Sequence, residues 1–403
     1  MQTFTVIEFP ATKEKPSTAL GVRRQRVLIV QLFDQPFAKA QKALPRLHKL
    51  GVTHVLVSPP QLSHSSSRWW GRYQPVDFTR IEGPLGDAGS LHALCLAARR
   101  YGISVVADTV IHHLSNESRY LKIRGNRILS AQYPCFSTND FSGVHRLGRG
   151  RGLPILDTNS PWVRSQLRSY LHTLYELGVR GFRFDSAKHM DPHLFPHLLH
   201  GLPPTLCFGE LVYAEPSHFP EAYWQSMKGY DFPLAAHLKQ AFAYGGDLGS
   251  LARPNALWGP LSVPFVNHHD LIKNRKGFST FRIADTLDRR LAYTYILGRG
   301  EGTPLVYGTD LRHPEVKAGL TFHRFCAGLP QEPVAASRDL LAVRRGSVGL
   351  LAINKGVSHA EITTALQPGC YRDLVTGYSG STSHGRLHWR VPPRSAVTLV
   401  KVD

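Results

Sequence analysis

Residues 181–189 read GFRFDSAKH, and this stretch decides how the rest of the chain is read. Side chains alternate along a strand, so a β-type run beginning at Val179 puts Arg183 and Asp185 on one face and delivers Asp185 where the strand ends. A guanidinium beside a carboxylate keeps that carboxylate ionised. Two readings follow: a structural ion pair closing a strand, or a charged nucleophile at the C-terminal end of a barrel strand. The segment alone does not separate them, but its surroundings do.

On either side, short β-rich runs alternate with amphipathic helical patterns, the signature of a parallel sheet wrapped by helices. VLIVQLF (27–33) is followed by a helical pattern over Ala38–Leu50 and then by THVLVSPP; a helix over Ser90–Tyr101 leads into ISVVADTV. Between Leu114 and Ser160 the sequence turns polar and Gly-rich with little periodicity, which predicts an inserted loop or small subdomain. Pro161 opens a helix with Leu167, Leu171 and Leu174 on one face, stopped by Gly178, and its successor is the strand carrying Asp185. TLCFGE (205–210), SVPFVNHHD (262–270) and TPLVYG (303–308) are further buried strands. From about Leu340 hairpin-like strands take over (LLAVRR, VGLLAINKG, CYRDLV, RLHWRV, SAVTLV), predicting a small antiparallel sandwich.

Composition narrows the class. In 403 residues, 42% hydrophobic content with 10% aromatics describes a globular chain with a substantial core. No apolar run approaches the roughly 18–20 residues that span a bilayer. Met1–Arg26 is polar and basic without the apolar segment of a secretory signal, and the Arg23–Arg24 pair precedes what reads better as a buried strand, so a cytoplasmic location is expected. Five cysteines (Cys95, Cys135, Cys207, Cys326, Cys370), odd in number and far apart, argue against a disulfide framework or zinc site. The net charge of +19 is scattered: clusters such as Arg146, Arg149 and Arg151, or Arg289 and Arg290, are short, and no basic tail or nucleic-acid motif accompanies them. The expected partner is therefore not nucleic acid.

Four strand ends carry acidic or imidazole groups: Asp108 with His112 and His113, Arg183 with Asp185, Glu210, and His269 with Asp270. In a barrel of parallel strands such ends converge on one mouth. These segments resemble the conserved regions of the α-amylase family of retaining glycoside hydrolases, glycoside hydrolase family 13. DTVIHH resembles its first region, GFRFDSAKH the second, FGE the third, FVNHHD the fourth, and WWGRYQP (69–75) its sugar-binding stretch after the second strand. The resemblance implies an α/β fold: a (β/α)8 TIM barrel over 27–113 and 161–330, an inserted subdomain over 114–160, a C-terminal β-sandwich over 331–403, and an N-terminal extension over 1–26.

Carried over residue by residue, the resemblance implies Asp185 as nucleophile, Glu210 as general acid/base and Asp270 as stabiliser of the transition state. Retaining hydrolysis needs one charged carboxylate and one protonated carboxyl roughly 5–5.5 Å away. Arg183 is expected to serve the first, while the apolar Cys207 and Phe208 before Glu210 are expected to raise the pKa of the second, leaving Arg183 beside only one of the pair. Asp108, His113 and His269 are expected at the sugar, with Tyr73, Trp69 and Trp70 offering flat faces for stacking. The resemblance implies that Lys188 and His189 contact the sugar on the leaving-group side, as in enzymes cutting α-1,4 glucans.

The chain departs from the family at two ions. The family's structural calcium uses an asparagine and an aspartate where this chain has His112 and Ile155, neither of which offers the oxygen ligands that calcium requires. No metal is therefore expected, and packing, with a charged His112, is expected to hold the insert. His268 replaces an asparagine that helps bind chloride in one group of the family, which makes a chloride site doubtful. The expected activity is retaining hydrolysis of α-1,4-glucosidic bonds in maltodextrin, glycogen or starch. The alternatives are a transglycosylase on the same scaffold or a catalytically silent glucan-binding protein.

Overall fold

Eight short runs form parallel strands: β1 Ile29–Leu32, β2 His54–Val57, β3 Ser104–Thr109, β4 Gly181–Phe184, β5 Leu206–Gly209, β6 Lys228–Tyr230, β7 Ser262–Val263 and β8 Leu305–Tyr307. They are hydrogen-bonded in the order β7-β6-β5-β4-β3-β2-β1-β8, and a parallel bridge between Phe265 and Leu305 closes the sheet into a barrel. The computed structural model describes residues 27–146 and 152–403. The 1–26 extension with Arg23 and Arg24, and Arg149 and Arg151 of the basic cluster, lie outside the described residues.

Period-2 alternation sorts each strand into an inward and an outward set. Ile29, Leu56, Val106, Leu206, Phe208, Val263, Phe265 and Leu305 fill the barrel interior with Tyr230. Val30, Val55, Val57, Val105 and Ala107 face the surrounding helices. The helix Pro161–Glu176 packs Val163, Leu167, Tyr170, Leu171 and Leu174 inward, begins at Ser160, whose hydroxyl accepts from Val163 N, and is followed by Gly178 at φ +102°. Seven barrel strands match runs singled out in the sequence. The eighth, Lys228–Tyr230, is only three residues long and has no apolar run to announce it.

The 114–160 region is not a plain loop. It holds two hairpins, Leu121–Arg124 with Arg127–Ala131 and Phe141–His145 with Leu153–Leu156. Their residues are largely exposed or half-buried, so little apolar alternation marks them. An antiparallel bridge from Ile155 to His113 stitches the second hairpin onto the mouth of the barrel.

C-terminal antiparallel strands begin at Gln331: β9 Gln331–Ala336, β10 Leu340–Arg345, β11 Gly349–Asn354, β12 Ala360–Ala365, β13 Cys370–Asp373, β14 Ser379–Ser381, β15 Arg386–Val391 and β16 Ser395–Lys401. Six form one sheet (β9-β10-β11-β16-β13-β14), and β12 pairs with β15 across a core containing Leu350, Ile362, Tyr371, Leu387 and Leu399. The sequence had suggested five of these eight; β9 is an edge strand interrupted by Pro333, and β14 has only three residues. Buried Arg345 ties this unit to the barrel by donating to the carbonyls of Gly298, Cys326 and Leu329.

Candidate active site

The inward set of each strand continues past the apolar layer into polar residues at the mouth. Beyond Ile29 comes Gln31; beyond Val106, Asp108; beyond Phe208, Glu210; beyond Phe265, Asn267 and His269. Arg183 stands level with Asp108 in the β3–β4 register, and Gly181 lets β4 lie close to β5, where a Cβ would meet Leu206 O at 2.6 Å.

Arg183 is fully buried and is the hub of the site. Its Nη1 donates to Asp108 Oδ1 at 2.8 Å and to Asp185 Oδ1 at 2.6 Å. Its Nη2 lies 3.1 Å from Glu210 Oε2, within ion-pair distance though poorly aligned for a hydrogen bond. The expectation that Arg183 serves only one of the two acids is therefore corrected: the inward faces of β3, β4 and β5 bring three carboxylates around it.

What separates the acids is local. Asp185 also accepts from Ser186 Oγ at 3.2 Å, and Ser186 sits in the left-handed region at φ +53°, so the chain turns sharply and its N–H reaches Glu210 Oε2 at 3.1 Å. Burial raises Glu210 to about 8, with Arg183 opposing and Asp185 and Asp270 adding to the rise. Burial likewise raises Asp108 to about 7, opposed by Arg183, and Asp270 to about 7, again opposed by Arg183. Of the three, Glu210 is raised furthest, which favours its protonated form.

Asp270 is held by its neighbours. His269 Nε2 lies 3.0 Å from Asp270 Oδ2, and the His269 Nδ1 faces the Gln31 amide at 2.9 Å. The Gln31 Oε1 accepts from His269 N at 3.1 Å, so one amide grips both backbone and ring. Burial, then Arg183, pushes the His269 and His268 imidazoles well below their ordinary value, so both are neutral. With Gln31 donating to Nδ1, His269 carries its proton on Nε2 and donates to Asp270.

Tyr73 donates to Asp108 Oδ2 at 2.8 Å, and its ring stacks on His269 at 4.9 Å between centroids. Phe33 also stacks on His269 at 4.8 Å and lies 6.5 Å from Tyr73. Trp69 meets Phe33 and Tyr73 edgewise and belongs to the same wall, whereas Trp70 turns away and packs edge-on against His64. His113 Nε2 bonds the Tyr73 carbonyl at 3.0 Å, so it anchors the aromatic wall. Lys188 donates to Val212 O at 2.8 Å and lies over the Tyr213 ring, and exposed His189 joins a group of imidazoles with His112 and His145. Gln31, Phe33 and Ser186 were missed in the sequence. The alternation from Ile29 already points Gln31 inward; nothing local marks the other two.

The residues at the family's calcium position do not fit that ion. His112 is buried, its ring 5.6–5.7 Å from those of His113, His145 and His189. Burial, then these three neighbours, lowers His112 to about 3, so it is neutral; the expectation of a charged His112 is wrong. Ile155 is half-buried in its strand, and Asp157 spends Oδ1 on Asn159 N at 3.0 Å. Calcium would find imidazole and hydrocarbon where it needs oxygen. Among the described residues, His268, His269 and Asp270 have ligand atoms within 4.8 Å of one another, but the contact of His269 with Asp270 already engages that carboxylate.

A buried glutamic acid whose pKa burial raises and an ion-paired aspartate stand together at the C-terminal mouth of a closed (β/α)8 barrel, the arrangement that a retaining glycoside hydrolase needs. No family profile matches the chain. An α-amylase of Aeromonas hydrophila is 31% identical over 396 residues, covering 81% of this chain and 84% of that protein. An α-amylase of Streptomyces violaceus is 31% identical over 330 residues, covering 73% of this chain and 54% of that one. The crystal structure of α-amylase I from Eisenia fetida matches with a TM-score of 0.82 at 19% identity, over 94% of this chain and 97% of that chain; its maltohexaose complex matches at 0.80. The chain belongs to the α-amylase family of glycoside hydrolases.

Proposed function

We propose that the chain hydrolyses α-1,4-glucosidic bonds in maltodextrin, glycogen or starch with net retention, Asp185 acting as nucleophile, Glu210 as acid/base and Asp270 as stabiliser. The observation that carries this is the contrast between Asp185, ion-paired at 2.6 Å, and Glu210, raised to about 8 by burial. Glu210 protonates the glycosidic oxygen as Asp185 attacks the anomeric carbon; the ionised Glu210 then takes a proton from the water that releases the sugar. As positive charge develops on the ring, Asp270 and Asp108 stabilise it, and Tyr73 with Trp69 offers the stacking wall. The family resemblance supports a role for Lys188 and His189 in contacting the sugar on the leaving-group side.

The same covalent intermediate would serve a transglycosylase; kinship with amylases favours water as acceptor. A silent binding protein would have no use for a carboxyl raised to about 8. No calcium is required, since His112 and Ile155 offer it no ligands. Nor is chloride: Arg183 already faces three carboxylates, and a further anion would add to their repulsion. The five cysteines are free, which suits a cytoplasmic location. Among the described residues no helix is long and apolar enough to cross a membrane. The partner is an α-glucan and not nucleic acid.

Reducing-sugar release from soluble starch tests the reading. Asp185→Asn and Glu210→Gln should each lose on the order of 10²–10⁴-fold in kcat. An inactive wild type, or two active variants, overturns it. Digestion of maltoheptaose should give only shorter products, and longer ones would mean transfer.

A further inference from the structure

Part of the positive charge that is scattered along the sequence is gathered by the fold on the rim of the catalytic mouth. The helix His269–Lys273 carries Asp270 in its first turn and Lys273 at its end, and the chain from Leu271 to Ala284 contains no aspartate or glutamate. Lys273, Arg275 and Lys276 are exposed, and Arg282 is half-buried. Phe278 and Phe281 pin this segment: their rings pack on Phe232, just past β6, and Phe278 lies 5.7 Å from the buried His268. Lys239 reaches in from the helix Phe232–Phe242, its Nζ donating to Ser279 O at 2.8 Å. The cations therefore stand beside the end of the mouth that holds Asp270.

These charges are unbalanced. Burial, then the guanidiniums of Arg275 and Arg289, push Arg282 below its ordinary value, and no acid stands close enough to oppose them. Arg275 spends its Nε on Ile272 O at 3.3 Å and Arg289 its Nη1 on the carbonyls of Ile283 and Ala284, so backbone rather than carboxylate holds both in place. Among the described residues, Lys273, Arg275, Lys276 and Arg282 make no ion pair with an acid. The first acid after the segment, Asp285, caps the helix Thr286–Gly298 and is shared between Arg394, at 3.5 Å, and Arg289. Like charges gathered without a counter-ion repel one another, and an unmodified glucan, being neutral, gives them no partner. We propose that this rim binds phosphate monoesters carried on the sugar hydroxyls, so that the preferred substrate is a phosphorylated α-glucan; the proposal rests on the hydrolase reading above. The fixed fork of a guanidinium matches phosphate oxygens, and a local positive field speeds encounter with a negatively charged polymer. Nucleic acid offers the same oxygens. The rim, however, opens on the carboxylates of the mouth, which repel a continuous phosphate backbone and tolerate isolated phosphates on a neutral chain.

Initial rates on phosphorylated amylopectin and on the same polymer after enzymatic removal of its phosphate test this, with affinity electrophoresis in gels of each polymer reading binding without catalysis. At low salt the phosphorylated polymer should have the lower KM, by about 3- to 10-fold, and the stronger retardation. Sodium chloride at about 1 M, which screens charges beyond about 3 Å, should erase both differences. Arg282→Gln and the exposed Arg275→Gln should each narrow the preference by about 2-fold or more, and the double variant should abolish it. Arg275→Gln remains informative if Arg282→Gln does not fold. Equal KM and equal retardation for the two polymers in the wild type, a wild-type preference in Arg275→Gln or in a folded double variant, or tighter binding of an oligonucleotide than of phosphorylated amylopectin, overturns the proposal. Failure to hydrolyse either polymer would sink the hydrolase reading alone, since retardation still reads the rim.

Discussion

Replacing Arg183 by glutamine removes the cation that faces Asp108, Asp185 and Glu210 at 2.8, 2.6 and 3.1 Å, in a position with no solvent to take over. Breaking a buried ion pair from one side costs about 3–5 kcal/mol. With an unfolding entropy of about 2.1 cal/mol/K per residue over 403 residues, that loss lowers Tm by about 4–6 °C. Arg183 also holds Asp108, Glu210 and Asp270 below where burial alone would put them. Without it these acids keep their protons to higher pH. The pH profile of starch hydrolysis should therefore move towards alkali while activity at pH 7 falls about 10²–10³-fold, the size of losing one preorganised electrostatic partner. Arg183→Lys should recover part of the stability and less of the rate, because an ammonium does not reproduce the fork that spans three carboxylates. Scanning calorimetry and reducing-sugar assays across pH read both effects. A glutamine variant with unchanged Tm and an unshifted profile would refute the assignment of Arg183 as the common counter-ion.

The Glu210 proton sets the alkaline side of the profile: kcat/KM should fall as pH rises through about 8, which a pH series on a soluble maltodextrin reads. The sign for stability is the same, because the folded-state value lies above the ordinary 4.5; the Glu210 contribution is fully present below that value and is lost as pH rises through about 8. In excess chelator both activity and Tm should hold, and a stoichiometric, tightly bound calcium would contradict the imidazole environment of His112. Gln31→Leu keeps the volume but removes both bonds to His269; kcat should drop by on the order of 10-fold with Tm little changed, and an unaltered kcat would show that Asp270 needs no such support.

Much of the fold was legible because strand ends in a barrel share a destination. Once GFRFDSAKH is placed on a strand, the acids of the other runs must meet it. What escaped notice was set through space. Strand β6 has three residues and no apolar run; the insert's hairpins bury too little to alternate; the reach of Arg183 to Glu210 depends on the β4–β5 register, which no local pattern encodes. The neutral state of His112 likewise comes first from burial and then from His113, His145 and His189, the last two brought to it from other segments. Trp70 fails as a stacking residue because the turn over Trp69–Tyr73 sends adjacent side chains in different directions.

The grip of Gln31 on His269 joins residues 238 positions apart, one on the first barrel strand and the other just after the seventh. A contact of that span closes a long loop, and the entropy of closing it is met before any reward. The support for Asp270 is therefore expected late in folding. During refolding, helical signal should recover ahead of catalysis, and the first glucan cleaved would mark the moment the barrel shuts.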